Sequence, residues 1–332
     1  QPACARGVYS LCAFILLPFS QFRGSCCHYI KILAISQTFL DTTAGSVWIV
    51  LFLSFLDYIY LAISCVILTG GIDLSVGSTF ALSAVVCALL IGAGIPAPLA
   101  ILAALIVGVI LGVISGILVT KGRLQPFIAT LITMTAYRGL AKILTDGKPI
   151  SQLAATIESE SGAFFFKTLG KGNLAATWNP SIRLPIPAII LVLTFVIFYF
   201  ILNHTTFGRR VYATGSNEKC AKLVGVNTAR VKVWVYGISG FLAALAGLIM
   251  ISRVDSAQPT LAEGYELDAI AAVALGGTSM NGGRGRITGT VAGVLIIAAL
   301  NNGLNILEVT SYYQDVIKAI VILVAVLSDR KR

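Results

Sequence analysis

The stretch "PLAILAALIVGVILGVISGILV", residues 98–119, contains 22 consecutive residues without a charge. A helix rises about 1.5 Å per residue, so a helix of this length can cross the roughly 30 Å hydrocarbon core of a bilayer. A segment in lipid must satisfy its own backbone hydrogen bonds, which a helix does. The stretch therefore predicts a transmembrane helix and a membrane protein.

The composition of the whole chain agrees with this prediction. Of its 332 residues, 57% are hydrophobic and only 11% are charged, whereas soluble domains are about a quarter charged. The net charge of +10 is compatible with nucleic-acid binding, but the basic residues are grouped in short connections between apolar runs. This is the positive-inside pattern of membrane proteins, so we expect the lipid bilayer, and no nucleic acid, as a partner.

The apolar runs predict nine or ten helices, which places the chain among all-α polytopic membrane proteins. A second clear span is 185–202, and 46–68 is a third that Asp57 interrupts. The other predicted spans are 79–95, 125–145, 233–252, 267–281, 287–305 and 313–327, and a short run at 11–19 is interpreted as a damaged first span.

The distribution of Lys and Arg predicts the orientation of these spans. Residues 203–232 carry six basic residues and one acid, so we expect this segment and the basic C-terminus in the cytoplasm. Four predicted spans separate the two, an even number as this requires. The same rule places the connections 146–184 and 253–266 outside.

Matching segments predict an internal repeat. "GIDL" at 71–74 corresponds to "GYEL" at 264–267. Each is followed by a run with spaced glycines and then by a glutamine that opens another span, Gln125 and Gln314. The offset between matching residues stays close to 190, as a duplicated unit would give.

The predicted orientation makes the two units inverted. It places Asp73 at the cytoplasmic end of its unit and Glu266 at the outer end, with units of about 65–145 and 256–328. Inverted units with glycine-interrupted spans are typical of transporters; chance similarity of glycine-rich helices is the alternative. Asp73 is expected either to cap the helix that begins near Ser75 or Val76 or to contact the transported substance.

The cytoplasmic segment 203–232 is predicted to contain a short helix at about 217–224. Ser216 or Asn217 can cap its first turn, and Gly225 can end it. The residues assigned to this helix and its caps are Ser216, Asn217, Glu218, Cys220, Leu223, Val224 and Gly225.

Three apolar residues of this helix, Cys220, Leu223 and Val224, share one face beside basic residues. Such an amphipathic helix can lie on the lipid surface. It can equally dock onto a cytoplasmic partner. The spacing alone leaves both interpretations open.

The segment 256–290 combines acids with glycines. Glu266 and Asp268 precede a short helix that Gly276 and Gly277 interrupt. The later glycines do not match the dinucleotide-binding fingerprint and no predicted strand precedes them, so nucleotide binding is excluded. The glycines are expected to permit a broken helix or close helix packing.

Arg138 lies inside the predicted span 125–145. Charged residues within a membrane are costly and often functional. The alternative is that the long side chain reaches the membrane interface from a position near one end of the span. The sequence does not decide between the two.

No enzymatic site is expected in this chain. A phosphate-binding loop of the form GxxxxGK[ST] is absent, and neither His28 nor His204 has a nearby Ser or Cys arrangement for catalysis. We therefore expect no catalytic residue, no metal site and no cofactor of its own.

Several motifs resemble those of a known family. The most specific are "LTGGIDLSVGS", "KGRLQPFIATL", "NHTTFGRRVYATGSNEKCAKLVGVN" and "SAQPTLAEGYELDAIAAVALGGTSMNGGRGRITGT". They resemble the membrane-spanning permease subunits of bacterial ribose-type ABC importers, from about Cys65 to the C-terminus. The resemblance implies ten helices in two inverted units, and it favours docking of the 217–224 helix into a groove of an ATPase.

The resemblance also implies location and partners. It implies a multi-pass protein of the bacterial inner membrane, paired with a second permease copy, with cytoplasmic ATPase subunits that bind ATP and Mg, and with a periplasmic sugar-binding protein. The imported substance is expected to be a monosaccharide, ribose or another pentose first. The pathway or gating candidates are Asp73, Ser75, Gln125, Arg138, Glu266, Asp268, Gly276 and Gly277.

A function of another class is also compatible with the acids. In an ion-coupled secondary transporter of small polar solutes, Asp73, Glu266 or Asp268 would carry protons. Transport that follows ATP and survives collapse of the proton gradient would exclude it.

Residues 1–64 depart from the family pattern. A Cys-rich stretch and Asp57 stand where a clean first span is expected, and the first methionine is Met134. We interpret 1–64 as an atypical region and 65–332 as the permease domain. A truncated or frame-shifted gene start is the hypothesis for the former, and an intact upstream frame encoding the same stretch would contradict it.

Overall fold

The structure is a computed structural model that describes residues 56–173 and 185–329. These residues are mostly helical, which confirms the all-α class in its coarse form. The predicted run at 11–19 and most of the atypical N-terminal region lie outside the described residues. The total of ten transmembrane helices and the inverted repeat stay predictions.

Thirteen helices and two short strands occur in the described residues. The helices are α1 (Leu56–Leu68), α2 (Val76–Gly92), α3 (Ala97–Thr120), α4 (Pro126–Thr145), α5 (Leu153–Thr156), α6 (Glu160–Lys171), α7 (Ile186–His204), α8 (Thr206–Ser216), α9 (Glu218–Leu223), α10 (Thr228–Val254), α11 (Tyr265–Leu275), α12 (Ile287–Ile306) and α13 (Ser311–Asp329). The strands are β1 (Ile150–Ser151) and β2 (Ser256–Ala257).

Among the described residues, four helices, α3, α4, α7 and α10, are long and apolar enough to cross a membrane. The span predicted at 98–119 extends from Ala97 to Thr120, because Pro96 is extended and Pro98 is tolerated in the first helical turn. Leu99, Leu102 and Ile106 of α3 are exposed on one side of this helix. An exposed face of large apolar residues is what contact with lipid requires.

The opposite face of α3 packs tightly on α10. Gly108, Gly112 and Gly116 recur one helical turn apart on this face. A methyl carbon added at Gly108 would lie 2.7 Å from the Gly240 carbonyl oxygen, and one at Gly116 would lie 2.9 Å from Val233 Cα. The absence of side chains therefore lets the two backbones touch, which is how helices associate without a hydrophobic driving force.

One helix, α11, is shorter than the span predicted for it. The predicted piece 267–281 is helical only as α11, whose 11 residues extend roughly 16 Å. The chain then reverses, so that Gly276 contacts Gly289 and Gly293 contacts the Ala272 carbonyl. α11 and α12 thus form an antiparallel hairpin around the glycine-rich turn 276–286.

A minimal sheet joins two distant connections. β1 follows α4 and β2 follows α10, and they pair antiparallel with Ile150 opposite Ala257 and Ser151 opposite Ser256. Both strands belong to connections that the charge rule places outside. The sequence reading anticipated neither these strands nor the short helices α5, α6 and α8.

Candidate functional site

Asp73 lies in the break between α1 and α2 and is only 2% exposed. Its Oδ1 accepts hydrogen bonds from the Ser75 backbone N–H at 3.0 Å and from Ser75 Oγ at 2.6 Å. Its Oδ2 accepts one from Ser239 Oγ of α10 at 2.8 Å. α2 begins at Val76, close to the predicted start. Asp73, however, accepts hydrogen bonds from Ser75, the residue before the helix, and not from the first helical turn.

Further hydroxyl groups extend this cluster to two more helices. Ser75 Oγ lies 3.4 Å from Ser115 Oγ of α3, which donates to Thr133 Oγ1 of α4 at 3.1 Å. Tyr236 Oη of α10 donates to the Ile72 carbonyl at 3.3 Å. A buried carboxyl group is costly unless hydrogen-bonded, so this cluster stabilises the break. It also engages both oxygens of Asp73 in hydrogen bonds within the protein.

The sequence reading missed Ser115, Thr133, Tyr236 and Ser239. The only signal was a hydroxyl group within an otherwise apolar run. That signal is weak, because serine and threonine often bond the backbone of their own helix.

Glu266 lies in the first turn of α11 and is 8% exposed. Its Oε1 accepts from the Gly264 N–H at 3.4 Å, whereas Oε2 has no hydrogen-bond partner among the described residues. This carboxyl group packs on Gly77 of α2, where an added methyl carbon would lie 2.6 Å from Oε2. Buried polar atoms without partners are rare, so Glu266 is the predicted pathway residue best suited to contact with a polar ligand; Asp57 Oδ1 and Asn301 Oδ1 share this property among the described residues.

The position of Glu266 corrects one expectation. Asp73 and Glu266 do not lie at opposite faces, because Gly77, which touches Glu266, is only four residues beyond Asp73. The physical reason is the non-helical segment 258–264, which separates β2 from α11 and brings the start of α11 against α2.

Arg138 holds this non-helical segment. Its guanidinium donates to the Pro259 carbonyl at 2.8 Å and to the Leu261 carbonyl at 2.7 Å. The side chain is half-buried. Arg138 thus supplies hydrogen bonds that segment 258–264 cannot make within a helix, and its position relative to a membrane interface stays a prediction.

The remaining pathway candidates occupy different places. Asp268 Oδ2 pairs with Lys318 Nζ of α13 at 3.2 Å, with both side chains mostly buried. Gly276 and Gly277 form the start of the α11–α12 turn. Gln125 is exposed at the start of α4 and makes no side-chain cap, so the structure does not join it to the other candidates.

The predicted cytoplasmic helix is present as α9. Asn217 Oδ1 accepts from the Cys220 N–H at 3.0 Å, which identifies Asn217 as the capping residue. Ser216 instead ends α8. Gly225 has a φ of +83°, a conformation that glycine adopts without strain, and it ends the helical turn.

The apolar stripe of α9 points away from the protein. Leu223 is 86% exposed and Val224 is 78% exposed, and Cys220 is exposed beside them. Ala221, on the opposite face, is buried. Large apolar side chains this exposed on a short polar helix mark a surface for a partner or for lipid.

Glu218 fixes α9 to the start of α10. Its carboxylate pairs with Lys232 Nζ at 2.6 Å and Lys222 Nζ at 2.9 Å, and it accepts from Thr228 Oγ1 at 3.1 Å. Burial raises the pKa of Glu218, but the hydrogen bonds from Lys232 and Lys222 outweigh it and hold this pKa at about 2. Glu218 is therefore ionised at neutral pH. It is not part of the apolar stripe, but its ion pairs hold the helix that carries the stripe.

Long lipid-facing helices, a buried helix break and a projecting polar helix together define a polytopic membrane transport protein. Comparison with known proteins agrees with this class. The family model described as branched-chain amino acid transport system / permease component matches residues 47–326, and the chain belongs to this family. Family membership and the apolar helices confirm the expected location in the bacterial inner membrane.

Several curated relatives are permease proteins of sugar transport systems. The ribose import permease protein of Bacillus subtilis is 56% identical over 267 residues, covering 80% of this chain and 79% of that protein. The ribose import permease protein of Escherichia coli K12 is 47% identical with the same coverage. The L-arabinose transport system permease protein of Escherichia coli K12 is 40% identical over 79% of this chain and 75% of that protein. No solved structure matches the chain.

Proposed function

We propose that this chain is the membrane-spanning subunit of an ABC importer for ribose or a closely related pentose. The observation that carries the proposal is the 56% identity to a ribose import permease over four-fifths of the chain. Identity to an L-arabinose permease is lower, at 40%. Ribose is therefore the first substrate to test and L-arabinose the second.

The assembly contains a second copy of this chain and two further kinds of subunit in this proposal. Two copies of this chain form the pathway, ATPase subunits bind ATP and Mg in the cytoplasm, and a periplasmic protein delivers the sugar. This chain performs no covalent chemistry and holds no cofactor. The repeat units 65–145 and 256–328 move relative to each other, and the loop 203–232 receives the ATPase.

α9 is the contact for the ATPase. The exposed Leu223 and Val224 supply an apolar anchor of the kind that dominates interface energies. The ion pairs of Glu218 with Lys222 and Lys232 hold that anchor in one orientation. A preoriented anchor loses little conformational entropy on docking, which favours affinity.

Glu266 is the first candidate for contact with the sugar. Its Oε2 lacks a hydrogen-bond partner among the described residues, and a carboxylate oxygen can accept from a sugar hydroxyl. Gly77 packs against this oxygen, where any side chain would collide with it. Asp73 is assigned a structural role, because Ser75 and Ser239 already bond both of its oxygens.

The same unpartnered carboxyl group supports one rival function. In an ion-coupled transporter, Glu266 would bind and release a proton during each cycle. Glu266→Gln would then abolish the dependence of uptake on a proton gradient. In the importer, uptake requires ATP in either variant and is insensitive to the gradient.

The test is reconstitution of the full assembly. The chain is co-purified with its ATPase, placed in lipid vesicles, and supplied with a ribose-loaded binding protein outside and ATP with Mg inside. We expect ribose-stimulated ATP hydrolysis and ribose uptake that survives an uncoupler. Ribose uptake that stops when the proton gradient is removed and does not depend on ATP would overturn the proposal and support the ion-coupled transporter.

A further inference from the structure

We propose that Gly215, at the end of α8, is a positioning residue that passes movement of α9 to both helix breaks of the protein. The proposal rests on the proposed docking of an ATPase at α9. It adds the route by which that docking reaches the rest of the permease. The route is a three-way contact of backbones, named here the glycine junction: Gly215 and Ser216 of α8, Leu68 and Gly70 after α1, and Gly282 and Gly283 of the α11–α12 turn.

The first side of the junction joins α8 to the end of α1. Gly215 packs directly on the carbonyl oxygen of Leu68, the last residue of α1, with no room for a methyl group. The break that contains Asp73 begins at the next residue. Any displacement of α8 toward α1 must therefore push on backbone, not on a side chain that can rotate away.

The second side joins α8 to the α11–α12 turn. A methyl carbon at Gly215 would lie 2.5 Å from the Gly283 nitrogen, and one at Gly283 would lie 2.5 Å from the Ser216 nitrogen. Ser216 Oγ donates to the Gly283 carbonyl at 3.4 Å, and Tyr212 Oη, one turn earlier in α8, donates to the Gly285 carbonyl at 3.1 Å. The turn is thus fastened to α8 at two points.

The third side joins the two breaks to each other. The Gly283 N–H donates to the Leu68 carbonyl at 3.0 Å. A methyl carbon at Gly282 would lie 2.6 Å from the Gly70 nitrogen, and Gly282 has a φ of +84°, which other residues adopt only with strain. The break after α1 and the turn after α11 therefore move together.

The junction lies one residue from α9. α8 ends at Ser216, Asn217 caps α9, and the Asn217 N–H still bonds the Ala213 carbonyl of α8 at 3.2 Å. Close-packed backbones transmit displacement because they have no soft side chain to absorb it. A push on α9 is thus carried to the residues beside Asp73 and to the turn that links α11 and α12.

The experiment adds one methyl group at Gly215 and compares it with the same change elsewhere. Gly139 lies within helix α4 and has no atom within 4 Å of an added methyl carbon, so Gly139→Ala is the matched control. We expect Gly215→Ala to co-purify with the ATPase and keep its basal ATP hydrolysis. Its ribose-stimulated hydrolysis and uptake should fall about tenfold, within the range of typical coupling energies, while Gly139→Ala behaves as the parent.

A second variant covers the case in which Gly215→Ala fails to fold. Tyr212→Phe removes the hydroxyl that bonds Gly285 without adding volume, and we expect it to lower stimulation about threefold at unchanged co-purification. A variant that lost co-purification and basal hydrolysis together would indicate only a structural role, and it would overturn the proposal. Normal ribose-stimulated ATP hydrolysis in both Gly215→Ala and Tyr212→Phe would also overturn the proposal.

Amide hydrogen exchange on the purified permease separates the junction from the proposed function. Gly215→Ala should speed exchange at residues 68–72 and at 281–285, and Gly139→Ala should speed neither. If no ATPase couples to the parent chain, the proposed function fails, and exchange still decides whether the junction exists. Unchanged exchange in both segments would overturn the junction even where transport is normal.

Discussion

Gly77 of α2 and Glu266 of α11 are in contact although 189 residues separate them in the chain. A methyl carbon at Gly77 would lie 2.6 Å from Glu266 Oε2 and 2.5 Å from the Ala262 carbonyl oxygen. Gly77 follows the segment "GIDL" (71–74), and Glu266 belongs to its predicted counterpart "GYEL" (264–267). The start of α2 and the start of α11 therefore meet in space, and their contact depends on a single missing side chain.

Gly77→Ala should destabilise the protein by about 1–3 kcal/mol, because the Ala262 carbonyl is backbone and cannot swing aside. Thermal unfolding in detergent measures this directly. Gly92→Ala, at the other end of α2, adds the same methyl to open space and should leave the melting temperature unchanged or slightly higher. Equal melting temperatures for the two variants would contradict the close contact.

Arg138→Met should lower stability by about 2 kcal/mol or more, because the Pro259 and Leu261 carbonyls each lose a charged donor. Lys142→Met, one turn later on α4 and exposed, is the control and should be close to neutral. The measurement is again thermal unfolding, with protease cleavage within 258–264 as a local readout. Resistance of this segment in Arg138→Met would show that the arginine does not hold it.

Leu223→Asp should weaken docking of the ATPase at α9 by about 2 kcal/mol, roughly thirtyfold in affinity, since it places a charge on the apolar anchor. Membrane insertion should not change, because Leu223 is 86% exposed and supports nothing else in the fold. Phe164→Asp, at a residue 71% exposed on α6, tests whether any exposed apolar residue has the same effect. Co-purification that is normal in Leu223→Asp would exclude α9 as the docking site.

The ion pairs of Glu218 predict a pH dependence. The folded pKa of about 2 lies below the ordinary 4.5, so the pairs stabilise α9 above about pH 4.5, and this stabilisation is lost as the pH falls toward 2. The effect is modest because the side chain is partly exposed to solvent. Amide exchange in residues 218–224 should quicken over this range in the parent.

Glu218→Gln provides the matching control for that titration. The variant should exchange faster than the parent at neutral pH, since the glutamine cannot form the ion pairs with Lys222 and Lys232. Between pH 4.5 and 2 its exchange, corrected for intrinsic rates, should stay flat. A parallel response in parent and variant would assign the pH effect to another group.

Local sequence rules predicted the parts whose structure depends on nearby residues. The run 98–119 is helical from Ala97 to Thr120 because lipid leaves an apolar segment no other way to satisfy its backbone. α9 lies within a residue of its predicted bounds because Asn217 and Gly225 act on their own turns. Helical spacing was enough to predict that Cys220, Leu223 and Val224 share one face. The structure shows this face exposed.

The tertiary structure alone decided which distant residues meet. The carbonyl partners of Arg138 lie 121 and 123 residues away. The depth of Glu266 depends on a non-helical segment whose path is set by Arg138 and by the β1–β2 pair. The contacts of Gly215 depend on two separate turns. No spacing rule carries this information, because these contacts arise from the packing of helices that sequence order does not place side by side. The sequence by itself determined the membrane class, the four long apolar helices and the short helix α9. Packing determined how the helix breaks are held and which buried carboxyl groups keep an oxygen without a partner among the described residues.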